Sequence, residues 1–119
     1  MGATARNKGH NAEREIVKRF VAAGWPETTR NYSQSEHGGA DLTGGPAGMK
    51  CEVKRTEQAK VWAWIEQAKR ACSPGDWWCV VFRRSRDDWN VLVSLDRFMQ
   101  LLQVERDHLE RSNRMGAGE

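Results

Sequence analysis

The sequence predicts a mixed α/β domain, a β-sheet of about five strands flanked by helices in the order α-β-β-β-α-β-β-α. Three observations carry this reading. Two segments, HNAEREIVKRFVAAGWP and EQAKVWAWIEQAKRAC, repeat apolar residues at the period of an amphipathic helix. Two runs, WWCVVFRR and WNVLVSL, are rich in β-branched and aromatic residues over strand-like lengths. Between the helical segments, glycine and proline break the chain into shorter extended pieces. A sheet with helices packed against it buries both kinds of apolar face.

In the first helical segment Ala12, Ile16, Val17, Phe20 and Val21 share one face, and Gly24 and Pro26 end it. At about 100° per residue, Glu13 falls on that same apolar azimuth while Glu15 lies nearly opposite. A carboxylate in that position calls for a cation, a metal or the helix N-terminus to compensate it. TTRNYSQS reads as a strand, and GGADL and MKCEVKR as a hairpin closed by TGGPAG. Alternation along MKCEVKR directs Met49, Cys51 and Val53 into a core and Lys50, Glu52 and Lys54 outward. In the second helix Val61, Trp64, Ile65, Ala68 and Cys72 form the apolar face, and Ser73, Pro74 and Gly75 stop it. Trp64 is therefore expected in the core and Trp62 on the surface. The polar SRDD joins the two strong strands, and DRFMQLLQ starts a short third helix with Asp96 near its cap.

One domain is expected over residues 6–104. Residues 1–5 and 105–119 read as flexible or frayed tails, because VERDHLERSNRMGAGE loses apolar periodicity. A chain of 119 residues supports one hydrophobic core, and six tryptophans supply large apolar area in a sequence that is 29% charged. No apolar run reaches the roughly 18 residues of a membrane span, and MGATARNKGH is unlike a signal peptide, so a soluble cytoplasmic protein is expected. Cys51, Cys72 and Cys79 match no zinc-ligand spacing and read as reduced core thiols; His10, His37 and His108 are widely scattered. The net charge of +3 permits a polyanionic partner without demanding one.

If Asp41 lies beside Glu52 on a neighbouring strand, two carboxylates and Lys54 form a site of hard oxygen ligands with one cation, suited to Mg²⁺ or Mn²⁺. Such a site hydrolyses phosphodiesters by activating water and stabilising charge on the phosphate. Phosphate contacts are expected from among Arg6, Lys8, Arg14, Lys18, Arg30, Arg55, Lys60, Arg83, Arg84 and Arg86.

Asp41 followed by Glu52-Val53-Lys54 resembles the signature of the PD-(D/E)xK nuclease superfamily, with Gly39-Ala40 where members often carry a proline before the aspartate. KGHNAERE, from Lys8 to Glu15, resembles the opening helix of archaeal-type Holliday junction resolvases and related small phage endonucleases, and WAWIEQA, from Trp62 to Ala68, the helix that follows their ExK. The resemblance spans about Asn7 to Leu95 and implies a restriction-endonuclease-like fold. It implies Asp41 and Glu52 as principal metal ligands, the Val53 carbonyl as a further one, and Glu13 binding directly or through water. It implies Lys54 as the group that orients or deprotonates water, with Gln67 orienting Lys54 or touching the phosphate. Ser33 or Ser35 would approach the scissile phosphate, and Lys8, Arg14, Arg30, Arg55 and Lys60 would hold DNA.

The expected function is a Mg²⁺-dependent DNA endonuclease resolving Holliday junctions, with Mn²⁺ substituting, and of phage or prophage origin. Cutting a four-way junction symmetrically needs two sites and hence a homodimer, with the WWCVVF strand and the second helix as candidate interface. One alternative is a phage or restriction-type nuclease for linear or nicked DNA; another is a non-catalytic DNA-binding module. His37 reads as a surface residue.

Overall fold

The structure, a computed structural model, describes the backbone of residues 2–32 and 39–117, with side chains over 7–32 and 39–116. The elements are α1 (Gly2–Ala22), β1 (Thr29–Arg30), β2 (Leu42–Thr43), β3 (Met49–Arg55), α2 (Val61–Arg70), β4 (Trp77–Arg83), β5 (Asn90–Val93) and α3 (Leu95–Ala117). This is a mixed α/β architecture in the order read from the sequence. No helix among the described residues is long and apolar enough to cross a membrane.

Among the described residues the five strands form two sheets. β3 and β4 run parallel, joined across α2, and β5 pairs antiparallel with β4, giving the order β3-β4-β5. β1 and β2 form a separate antiparallel pair in which Arg30 faces Leu42. The expected hairpin between GGADL and MKCEVKR survives as one backbone bond, from the Asp41 N–H to the Cys51 carbonyl at 2.9 Å. It does not lengthen into a ladder because the next amide along, that of Val53, donates to the Asp41 side chain instead.

Parallel strands are buried on both faces when helices cover both. On one side α1 lays Ala12 and Ile16 over Leu42, Met49, Cys51, Val53, Cys79 and Val81. On the other, α2 lays Trp64 and Ala68 over Val80, with Trp78, Phe82 and Leu92 packed around them. The outward face expected for Lys50, Glu52 and Lys54 is thereby corrected: Glu52 has no exposed surface at all, and the two lysines are half-buried. Trp64 is core and Trp62 is 79% exposed, as the helical period required.

The ends of the elements also differ from the sequence reading. α1 begins at Gly2, so residues 2–5 are helical backbone and not a tail. β1 covers only two residues of the expected TTRNYSQS strand, whose later part lies outside the described residues. The short third helix and frayed tail are one helix, α3, reaching Ala117. Apolar periodicity fades there, but no proline interrupts it, and Arg106–Glu110, Asp107–Arg111 and Glu110–Arg114 have the i,i+4 spacing that supports helices in water. β4, offered as dimer surface, is the central strand and is hydrogen-bonded along both edges.

The turn between β2 and β3 depends on Gly44, whose φ is +77° and where a Cβ would run into the Glu27 carbonyl. Gly44→Ala and Leu42→Ala are both expected to lower the free energy of unfolding, the latter by about 2–5 kcal/mol because Leu42 is 1% exposed. Equilibrium unfolding followed by tryptophan fluorescence measures both.

Candidate functional site

Three hydrogen bonds set the position of Asp41. Its amide donates to the Cys51 carbonyl, and its carbonyl accepts from the Asn31 amide at 2.8 Å. The Asn31 side chain donates to the Ala40 carbonyl at 2.8 Å, holding the residue before it. With the backbone so fixed, Asp41 Oδ2 accepts the Val53 N–H at 2.7 Å. In an extended strand the N–H and C=O of one residue point to the same edge, so the Val53 carbonyl also faces Asp41.

Glu52 occupies the next place on β3, opposite Val80 in the β3–β4 register and hence in the apolar layer under α2. No donor among the described residues reaches either of its carboxylate oxygens. Burial first, then the charge of Asp41 and a proton shared with it, together push Glu52 up to about 8, with Lys54 pulling the other way and Glu13 adding a smaller push. Two carboxylates in such contact share a proton or hold a cation.

Lys54 Nζ donates to Gln67 Oε1 at 2.6 Å, a bond from β3 to α2 that fixes the ammonium beside the acid pair. Gln67 is carried there because Trp64 and Ala68 of the same helix are locked in the core. Glu13 stands one step out. It accepts from Arg30 Nε at 3.1 Å, and both side chains are about 15% exposed (15% and 14%). The compensation that its azimuth demanded is Arg30, which also stacks 5.2 Å from the Tyr32 ring centroid.

The structure therefore gathers Asp41, Glu52, Val53, Lys54 and Gln67, with Glu13 adjacent but paired. Among the described residues no three His, Cys, Asp or Glu side chains converge as a ready-made metal cluster. Ser33, Ser35 and His37 lie outside the described residues. Of the expected DNA contacts, Arg30 is engaged by Glu13 and Arg14 bonds Asn11 at 3.1 Å. Arg55 contacts Glu57 at 3.3 Å and Ser85 at 3.0 Å, while hydrogen bonds from Ser85, helped by Arg55, hold Glu57 down at about 2. Lys8 and Lys60 are exposed.

Sequence reasoning did not find the role of Asn31 in seating Asp41, nor Arg30 as the partner of Glu13. It also missed a cleft in which Lys8, Arg55 and Arg83 converge beside Trp89. Arg55 and Arg83 are register neighbours on β3 and β4, the one sign of that cleft that strand pairing would have revealed. The cysteines are free; Cys51 and Cys79 are buried, and hydrogen bonding with Cys79 together with burial drives the Cys51 thiol far up, which makes Cys51 an inert core group.

Compared with family models, curated proteins and solved structures, the chain matches none of them, so its own geometry carries the functional reading.

Between the ordinary Glu value of 4.5 and about 8, folded Glu52 keeps a proton that the unfolded chain has released. Stability is thus lost as pH rises through that interval. Glu52→Gln is expected to flatten the fall. Thermal midpoints of both proteins across that range, without divalent metal, provide the comparison.

Proposed function

We propose that the chain is a divalent-metal-dependent endodeoxyribonuclease that hydrolyses phosphodiester bonds in branched DNA, four-way junctions in particular. The observation that supports it most is the Glu52 carboxylate, wholly buried, reached by no donor among the described residues and lying beside Asp41. A bare carboxylate there is costly, and a hard cation shared with Asp41 and the Val53 carbonyl removes that cost. The donor set is all oxygen, which fits Mg²⁺ with Mn²⁺ as substitute and fits zinc or copper poorly. Glu13 contributes negative charge from beside the pair.

A bound metal ion would acidify a water molecule and stabilise the charge that builds on the attacked phosphate. The protein's own groups do the rest. Asp41, held through the Val53 amide, and Glu52, held by the apolar layer, present their oxygens from fixed positions. Lys54, positioned by Gln67, offers a directed ammonium to the water or to a phosphate oxygen. Lys8, Arg55 and Arg83 form a cationic cleft for backbone phosphates at the far end of the strands. Trp62, largely exposed, supplies a flat face on which a base stacks. Branched over linear substrate is favoured by the likeness of KGHNAERE and WAWIEQA to the junction resolvases, and a DNA substrate of that kind is in keeping with the cytoplasm of a bacterial or phage-infected cell.

The test is cleavage of a labelled four-way junction against a linear duplex of the same sequence, with and without Mg²⁺. Paired nicks in the junction alone, only with metal, are expected. Asp41→Asn and Glu52→Gln should abolish cleavage and retain binding, Lys54→Ala should slow it by about 10²–10⁴-fold, and Gln67→Ala by about 10–100-fold. Undiminished cutting by both carboxylate variants would sink the assignment. Equal cutting of both substrates would make it a general DNA nuclease, and Mg²⁺-insensitive binding without cutting a DNA-binding module.

A further inference from the structure

The longest helix among the described residues is also the least covered. α3 is anchored at its root, where the Arg97 amide donates to Ser94 Oγ at 3.1 Å and the Arg97 guanidinium stacks 4.1 Å from the Trp77 ring centroid. Beyond that turn, every residue from Phe98 to Gly116 is exposed. Leu95, Leu102 and Leu109 repeat every seven residues, and Phe98 and Met99 lie between them. On a helical projection these five fall within an arc of about 100°, with Val104 on the far side. Leu95 is 71% exposed and Leu109 52%, and Phe98, Met99 and Leu102 lie between 44% and 48%. An amphipathic helix of this kind gains most of its stability by burying its apolar stripe, and alone in water it gains little.

We infer that α3 is a dimerisation helix whose apolar stripe packs antiparallel against α3 of a second copy of this chain, with Leu102 close to the two-fold axis. Charge on the helix does not oppose a second copy. Asp96, Glu105, Asp107 and Glu110 are balanced by Arg97, Arg106, Arg111 and Arg114, so two copies meet without net repulsion although the whole chain carries +3. A parallel, in-register pair would set Glu105 against Glu105 at the seam. The antiparallel pair brings Glu105 level with Met99, Leu95 level with Leu109, and opposes the helix macrodipoles. Complete burial of the exposed parts of Leu95, Phe98, Met99, Leu102 and Leu109 on both copies would remove roughly 1,000 Å² from water, the lower bound for a specific interface. The same patch on both partners satisfies a two-fold interface.

This inference does not rest on the nuclease reading, and its test needs neither DNA nor metal. Sedimentation equilibrium of the full chain should give twice the 13.6 kDa of one copy. Leu102→Asp with Leu109→Asp should give one copy, and Val104→Asp, on the opposite face, should remain at two. Both substituted leucines are exposed in the single copy, so circular dichroism should show the strands of the doubly substituted chain retained. Leu102→Cys should cross-link through a disulfide to twice the mass under mild oxidation. A wild-type chain that stays at one copy at high micromolar concentration, as it would if α3 docks on its own body or on an unrelated protein, overturns the inference. So does a Leu102→Asp/Leu109→Asp chain that remains at two copies, or a Leu102→Cys chain that forms no cross-link.

Discussion

A carboxylate sits in the driest part of the sheet, and the rest of the molecule is arranged around that fact. Glu52 falls on the α2-facing side of β3 because strand alternation leaves the α1-facing side to Met49, Cys51 and Val53. Once α2 covers that side with Trp64 and Ala68, Glu52 can keep neither water nor a full charge cheaply. The answer lies at the free edge of β3, where Asp41 is seated by Asn31, Cys51 and Val53. The helix that removes water from Glu52 also delivers Gln67 to Lys54. Burial and positioning are one packing event.

The two faces of the sheet have different work. The α1 face is mostly hydrocarbon and thiol, with ionisable groups only at its rim, where Glu13 meets Arg30 and Glu15 meets the Trp89 indole N–H at 3.0 Å. The α2 face carries the polar groups that chemistry would use. Around the acid pair the other charged side chains already have partners: Glu13 is ion-paired with Arg30, and Lys54 is oriented by a hydrogen bond to the neutral amide of Gln67. Glu52 has no such partner among the described residues, and its titration shifts upward because it is buried and lies beside the charge of Asp41, with Lys54 offsetting only part of the rise.

How much of this was legible in the sequence follows the physics of each signal. Helical period placed Glu13 with Ile16 and Phe20, and separated Trp62 from Trp64, because a single helix face is a local property. The element order was likewise legible, since turns and strand-formers act over a few residues. Whether the second face of β3 was wet or dry was not, because it depends on the parallel partner β4 and on where α2 lands. Asn31 and Arg30 act across the chain on Ala40, Asp41 and Glu13, through contacts that leave no periodic trace. The length of α3 was lost for a different reason: its second half is helical by propensity and charge spacing, which a search for apolar repeats does not see.

The same arrangement separates the assembly of the acid pair from its drying. Asp41 and Glu52 are joined by a short, glycine-bearing turn, so bringing them together costs little loop-closure entropy. The layer that encloses Glu52 comes from α2 and from β4, whose pairing with β3 must close a loop through the whole crossover. In chain order the two carboxylates can meet while water still surrounds them, and the sheet then closes over a pair already formed. Both operations are opposed by electrostatics, the first weakly because water screens the two carboxylates and the second strongly because burial removes that screen, so most of the penalty falls on closing the sheet and little on the local turn.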